Sequence, residues 1–211
     1  MTYWFELLGV AVFAATGCIA GGRKRMDLLG VLVVGMVTAL GGGTVRDLVL
    51  DVPVVWVSNN TYLFVAGGAA LVTFCWVRLL PTPAGILLTL DAFGLALFAV
   101  QGTQKGLELG TTGFIAVLMG AMTGVAGGVI RDILCNEIPY VFTARELYAI
   151  PALVGATGYV ASVTYGLSAQ AALWIGFVLA LLLRLAAMRW KIALPVFVDA
   201  YDREDGSGGS S

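Results

Sequence analysis

Long apolar runs joined by short connectors recur along this chain, and they restrict what it can fold into more than any other feature. Seven runs, at about 3–20, 28–50, 62–80, 84–101, 112–135, 147–165 and 169–188, approach the roughly 20 apolar residues that a helix needs to cross a bilayer. Charged residues make up 12% of the 211 residues, half the roughly 25% of soluble domains. The connectors leave no room for a separate soluble domain. The expectation is an all-α membrane protein with seven transmembrane helices, one domain over 1–205, and a segment GSGGSS at 206–211 that reads as an expression scar. The first run precedes the basic GGRKR, the reverse of the order in a signal peptide, so it is expected to be a mature helix.

Two of these runs contain the same anomaly. GGGTVRD at 41–47 and GGVIRD at 127–132 each place adjacent glycines and an Arg-Asp step inside an apolar stretch. Arg46 and Arg131 are 85 positions apart, and the same offset without gaps pairs Glu6 with Asp91, Phe13 with Phe98, Gly17 with Gly102, Gly35 with Gly120 and Thr38 with Thr123. After one inserted residue, Pro53 meets Pro139 and Tyr62 meets Tyr148. The chain therefore reads as a duplication, with repeat one at about 3–80, repeat two at about 84–165, and the seventh helix added at about 169–188. Each unit has three spans, an odd number, so the second enters the membrane upside down. Inverted 3+3 repeats of this kind frame a central path in many transport proteins.

The glycines predict helices two and five kinked, or broken, at Gly41, Gly42 and Gly43 and at Gly124, Gly127 and Gly128. Backbone that leaves helical geometry in lipid must line water or be buried in protein. A path lined by freed carbonyls is one reading, and close packing of small residues is the other. Thr38 and Thr123 precede the glycines and offer hydroxyls either to a passing ion or to their own backbone. Ionisable groups inside a span require partners. Neighbours on a helix do not face each other, so Arg46–Asp47 is not expected to be self-contained. Depth along the helices instead groups Glu6 with Arg46 and Asp47 at one end, and Asp91 with Arg131 and Asp132 at the other. These two sets either brace the helices or govern ion passage. Lys105, at the end of span four, either meters cations or is a solvated loop lysine. Arg23, Lys24 and Arg25 fit anionic lipid headgroups or simply fix topology. Arg23, Lys24, Arg25, Arg78, Arg145, Arg189 and Lys191 share one side, which puts the N-terminus outside and the C-terminus in the cytoplasm.

Several classes are disfavoured. The chain has no histidine, which removes the usual general base and zinc ligand. No GxSxG, HExxH or P-loop occurs, so neither an enzyme nor a cofactor is expected. A net charge of −1 gives no field for nucleic acid. Cys18, Cys75 and Cys135 read as small buried hydrophobes.

The paired Gly-Gly-x-x-Arg-Asp motifs, Pro139 and the seven spans with a duplicated first six resemble the prokaryotic members of the trimeric intracellular cation (TRIC) channel family, over about residues 3–190. The resemblance implies a homotrimer in a prokaryotic plasma membrane, with a pore inside each protomer, framed by kinked second and fifth helices and passing monovalent cations, K⁺ and also Na⁺. A lysine-containing motif of the eukaryotic members, tied to lipid binding, is not found here, so no phosphoinositide requirement is carried over. Related bacterial sequences have been labelled glycine transporters, which keeps a secondary transporter of a small zwitterion as the alternative.

Overall fold

The structure, a computed structural model, describes residues 2–81, 83, 85–143 and 146–195. Arg145, the segment 206–211 and the expected first residue of span four, position 84, lie outside the described residues. Seven long helices follow the apolar runs: α1 (Thr2–Arg23), α2 (Leu28–Val49), α4 (Thr61–Leu79), α5 (Ile86–Glu108), α6 (Gly113–Leu134), α7 (Ala149–Thr164) and α8 (Ala169–Trp190). A single turn, α3 (Val55–Ser58), precedes α4, and a 3-10 turn at Tyr140–Phe142 precedes α7. Six of the long helices are long and apolar enough to cross a membrane, while α7 has only 16 residues. At 1.5 Å per residue α7 rises about 24 Å, short of a ~30 Å hydrocarbon core. Leu29, Phe64, Val72, Leu79, Phe114 and Leu182 turn large apolar side chains outward, as a lipid-facing surface requires.

Local chemistry sets the helix ends, and it repeats. Asp27 caps α2 by accepting from the Gly30 amide, and Thr112, 85 residues on, caps α6 by accepting from that of Ile115. Asp51 and Asn136 take the left-handed conformation just beyond α2 and α6, at φ 53° and 52°. Each turn closes with a six-to-one backbone bond, Val52 N to Asp47 O and Glu137 N to Asp132 O. The offset of 85 then persists further than the prolines suggest. Asp47 Oδ2 accepts from the Val55 amide and Asp132 Oδ2 from the Tyr140 amide, both at 3.0 Å. Pro53 therefore stands opposite Ile138 rather than Pro139, and the one-residue insertion falls between Val55 and Tyr62 in the first unit's register.

Of the two forms expected, kinked or broken, the structure excludes the outright break. Both helices run continuously through their glycines. The glycines instead let backbones meet. A Cβ at Gly42 would overlap the Thr123 carbonyl oxygen, and one at Gly127 would stand 2.6 Å from the Thr38 carbonyl oxygen. These contacts are reciprocal under the repeat, so α2 and α6 cross at its pseudo-twofold axis. Helix α5 packs against α1, α6, α7 and α8 and forms the buried spine of the bundle. Helix α8 lies against α5 and α7, outside the duplicated unit.

Candidate functional site

At one end of the bundle α1 begins and α2 and α5 finish. Arg46, 1% exposed, sends Nε to Asp47 Oδ1 at 2.8 Å and Nη1 toward Glu6 Oε1 at 3.7 Å. The Tyr62 hydroxyl donates to Glu6 Oε2, and Lys105 Nζ donates to Asp47 Oδ1 at 2.8 Å. This first vestibule is a cavity of about 240 Å³ lined by Tyr3, Glu6, Val55, Gln101, Gln104, Lys105 and Glu108.

At the opposite end the repeat builds a counterpart. Arg131 gives Nε to Asp132 Oδ1 at 2.9 Å and Nη1 to Asp91 Oδ1 at 2.7 Å. Arg131 and Asp91 are almost wholly buried, whereas Glu6 is partly open. A Cβ at Gly128 would overlap the Tyr148 hydroxyl and reach within 3.4 Å of Asp91, so this glycine clears the seat of the cluster. Tyr148 stands where Tyr62 stands in the first unit. Its ring lies under the Arg184 guanidinium, 4.9 Å from the centroid, and Arg184 Nη1 donates to Leu147 O at 2.6 Å. The second vestibule, about 360 Å³, is lined by Arg23, Lys24, Arg131, Asp132, Cys135 and Glu137 among others, with Lys24 and Glu137 paired at its rim.

Phe13 and Phe98 lie between the two ends. Phe13 is two turns along α1 from Glu6, and Phe98 is two turns along α5 from Asp91. Their rings pack at 5.2 Å with planes 38° apart, and both are buried. Glycines seat each ring: a Cβ at Gly94 would overlap Phe13, and one at Gly9 would come within 3.3 Å of Phe98. Neither phenylalanine belongs to the lining of either vestibule. Phe98 instead floors a small pocket containing Glu6, Gly43, Arg46 and Tyr62.

The structure brings together Glu6, Arg46, Asp47 and Lys105, and separately Asp91, Arg131 and Asp132. Arg46 and Arg131 do bond their sequence neighbours, contrary to the expectation for adjacent residues, because a long guanidinium folds back over its own helix end. Neither pair is self-contained, since each arginine also reaches an acid on another helix. Lys105 lies within α5, which continues to Glu108, seven residues past the expected end of that span. Thr38 and Thr123 are fully buried and donate to Val34 O and Met119 O. They pack against Gly17 and Gly102 at helix crossings and line neither vestibule. Gly41 faces Ile130, and Gly124 abuts the Leu95 carbonyl oxygen, so both serve helix contacts. Arg23 and Lys24 line the second vestibule, and Arg25 adopts φ 57° in the turn after α1. Cys18 and Cys135 are buried as expected, but Cys75 is exposed.

Comparison with known proteins places these features in a lineage. A family model described as "Glycine transporter" matches residues 3–78 and 88–164, once for each three-helix unit and at the offset found above. The inner membrane protein YadS of Escherichia coli K12 is 44% identical over 93% of this chain and 96% of its own length. A TRIC channel orthologue of Rhodobacter sphaeroides superposes with a TM-score of 0.86 at 40% identity, covering 90% of this chain and 97% of that one. The chain belongs to the prokaryotic TRIC channel family. A second TRIC cation channel, solved to explain conductance, gives a TM-score of 0.83 at 39% identity over 93% of this chain and 97% of its own. The TRIC fold and a multi-pass inner-membrane setting follow from these relatives together with the apolar helices.

Three groups escaped the sequence reading. Arg184 is an ionisable residue inside the last apolar run, and the rule that such residues need partners would have found it. Tyr62 and Tyr148 were matched by the repeat but given no role, although a buried tyrosine hydroxyl beside a carboxylate is an ordinary means of orienting it. Gln101 is the expected end of a span, yet it opens a polar stripe on α5 at 101, 104, 105 and 108, all on one helical face.

Proposed function

We propose that this protein is a monovalent cation channel, passing K⁺ and also Na⁺, with a path inside each protomer of a homotrimer. The observation that carries this is the pair of charged vestibules at opposite ends of one inverted repeat, in a chain about 40% identical to solved TRIC channels. The first vestibule supplies carboxylates from Glu6 and Glu108, and the second supplies Asp132 and Glu137. Acids at both mouths raise the local cation concentration. Arg46 and Arg131 hold those fields in check and brace the helix ends. The path runs from the Glu6 cluster past Phe13 and Phe98 to the Asp91 cluster. The phenylalanine pair forms its dry constriction, a barrier of the kind that gates by excluding water.

Arg23, Lys24, Arg25, Arg78, Arg189 and Lys191 lie at the end of the second vestibule, whereas Lys105 and Arg46 lie at the first. The positive-inside rule therefore assigns the second vestibule and the C-terminus to the cytoplasm. Arg23, Lys24 and Arg25 at that rim also meet the anionic headgroups of the inner leaflet.

A secondary transporter of a small zwitterion is the second reading, favoured by the family model's description. In that case Arg46 or Arg131 would meet a carboxylate, and an acid would meet an ammonium. Proteoliposomes loaded with K⁺ and diluted into K⁺-free buffer separate the two. The channel reading predicts a membrane potential reported at once by a voltage-sensitive dye, without glycine. Saturable uptake of labelled glycine with no such potential would overturn it.

A further inference from the structure

Around the first vestibule nearly every polar group has a partner. Glu6 is held by Tyr62 and Arg46, Lys105 by Asp47, and Glu108 by Gln104 Nε2 at 2.7 Å. Gln101 differs. It is 2% exposed, it lines the cavity, and among the described residues neither its Oε1 nor its Nε2 has a hydrogen-bond partner. Burying an amide with both ends unmet is costly, and native proteins rarely accept it without a ligand or a water. The fold does not impose it either. The repeat places Thr16 at the equivalent position, and that hydroxyl is satisfied by the Phe13 carbonyl at 2.8 Å. The unpaired amide therefore belongs to one vestibule alone.

We infer that Gln101 is a specificity-determining ligand for the permeating cation. Its carboxamide oxygen takes the place of one water in the ion's shell as the ion passes from the vestibule toward the Glu6 cluster. Its Nε2 group donates to the water that the ion keeps. Carboxylates such as Glu6 and Glu108 concentrate any cation, whereas a neutral amide oxygen in a dry wall discriminates by how readily the ion gives up water. The amide sits on a rigid helix, one to two turns from Lys105 and Glu108, so its position is fixed before the ion arrives. This inference rests on the cation-channel reading.

The test is single-channel recording of the purified full-length protein in planar bilayers, under K⁺ on one side and Na⁺ on the other. Gln101→Leu keeps the volume and removes both polar atoms. Gln101→Thr supplies the residue that the repeat already accommodates at position 16, and it is read if the leucine variant does not fold. Either substitution is expected to lower unitary K⁺ conductance severalfold and to shift the bi-ionic reversal potential. A wild type that conducts, alongside variants with unchanged conductance and reversal potential, overturns this inference alone and leaves Gln101 an amide satisfied by water. A wild type that carries no cation current overturns the channel reading and this inference with it.

Discussion

The reciprocal crossing of α2 and α6 yields a sharp prediction. Alanine in place of glycine inside an unbroken helix gains about 1 kcal/mol of helix propensity. At Gly42 and Gly127 that gain is opposed by backbone. The Cβ of Gly127→Ala stands 2.6 Å from the Thr38 carbonyl oxygen and 2.9 Å from the Phe13 ring. That is about 1 Å inside the ~3.5 Å at which such contacts turn attractive. A carbonyl cannot rotate away as a flexible side chain can, so the helices must part. Overpacking of this kind costs about 1–3 kcal/mol, which leaves each single variant less stable by up to about 2 kcal/mol net of propensity. The two sites share one crossing, so a separation that admits one methyl group admits the other. The Gly42→Ala/Gly127→Ala double variant should therefore lose less than the two singles combined, by about 0.5–1 kcal/mol or more. Gly68 on α4 has nothing within 4 Å of its notional Cβ among the described residues, so Gly68→Ala should be stabilised. Reversible unfolding in mixed detergent micelles, followed by tryptophan fluorescence, reads all four variants. Stabilised Gly42→Ala and Gly127→Ala, or strictly additive losses, would refute the crossing as the reason for these glycines.

Asp91→Asn should destabilise more than Glu6→Gln, by roughly 3–5 kcal/mol against about 1 kcal/mol, because Asp91–Arg131 is buried and 2.7 Å apart while Glu6–Arg46 is more open at 3.7 Å. Thermal unfolding checks the order, and equal losses would contradict it. Lys105→Gln removes a cation from the first mouth while Asp47 stays held by Arg46 and the Val55 amide, so unitary K⁺ current at low salt should rise, with the gain fading at high salt as screening sets in. Current that is unchanged at every salt concentration would place Lys105 off the path. Exchanging the charges of Glu6 and Arg46 in a double variant should recover more folded protein than either single exchange, as size-exclusion yield in detergent would show. A Phe13→Ala/Phe98→Ala channel should open more often than wild type in bilayer recordings, and an unchanged open probability would remove the pair as the constriction.

The helices were legible because hydropathy and membrane thickness leave few alternatives, and the duplication was legible because Glu6/Asp91 and the Arg-Asp steps share one offset. The grouping of each arginine with an acid on another helix follows from depth together with the repeat. The glycines were legible as special but not as to purpose, since the same residue opens a helix or lets two helices touch. Only the partner backbones at Thr38 and Thr123 decide between those uses. Span four reads as ending too early because the chain turns polar at Gln101, two turns before α5 ends. A polar stripe along one wall of a cavity reads in sequence like the start of a loop. Arg184 shows the reverse case: an ionisable residue inside the last apolar run requires a partner, and it finds one in the Leu147 carbonyl.

Recording from the purified protein in a planar bilayer is the most direct test of two charged vestibules acting as the mouths of one ion path. A channel predicts discrete steps carrying far more than about 10⁵ charges per second, beyond the reach of a conformational cycle lasting microseconds to milliseconds. Saturable glycine uptake in the absence of any such steps would contradict it.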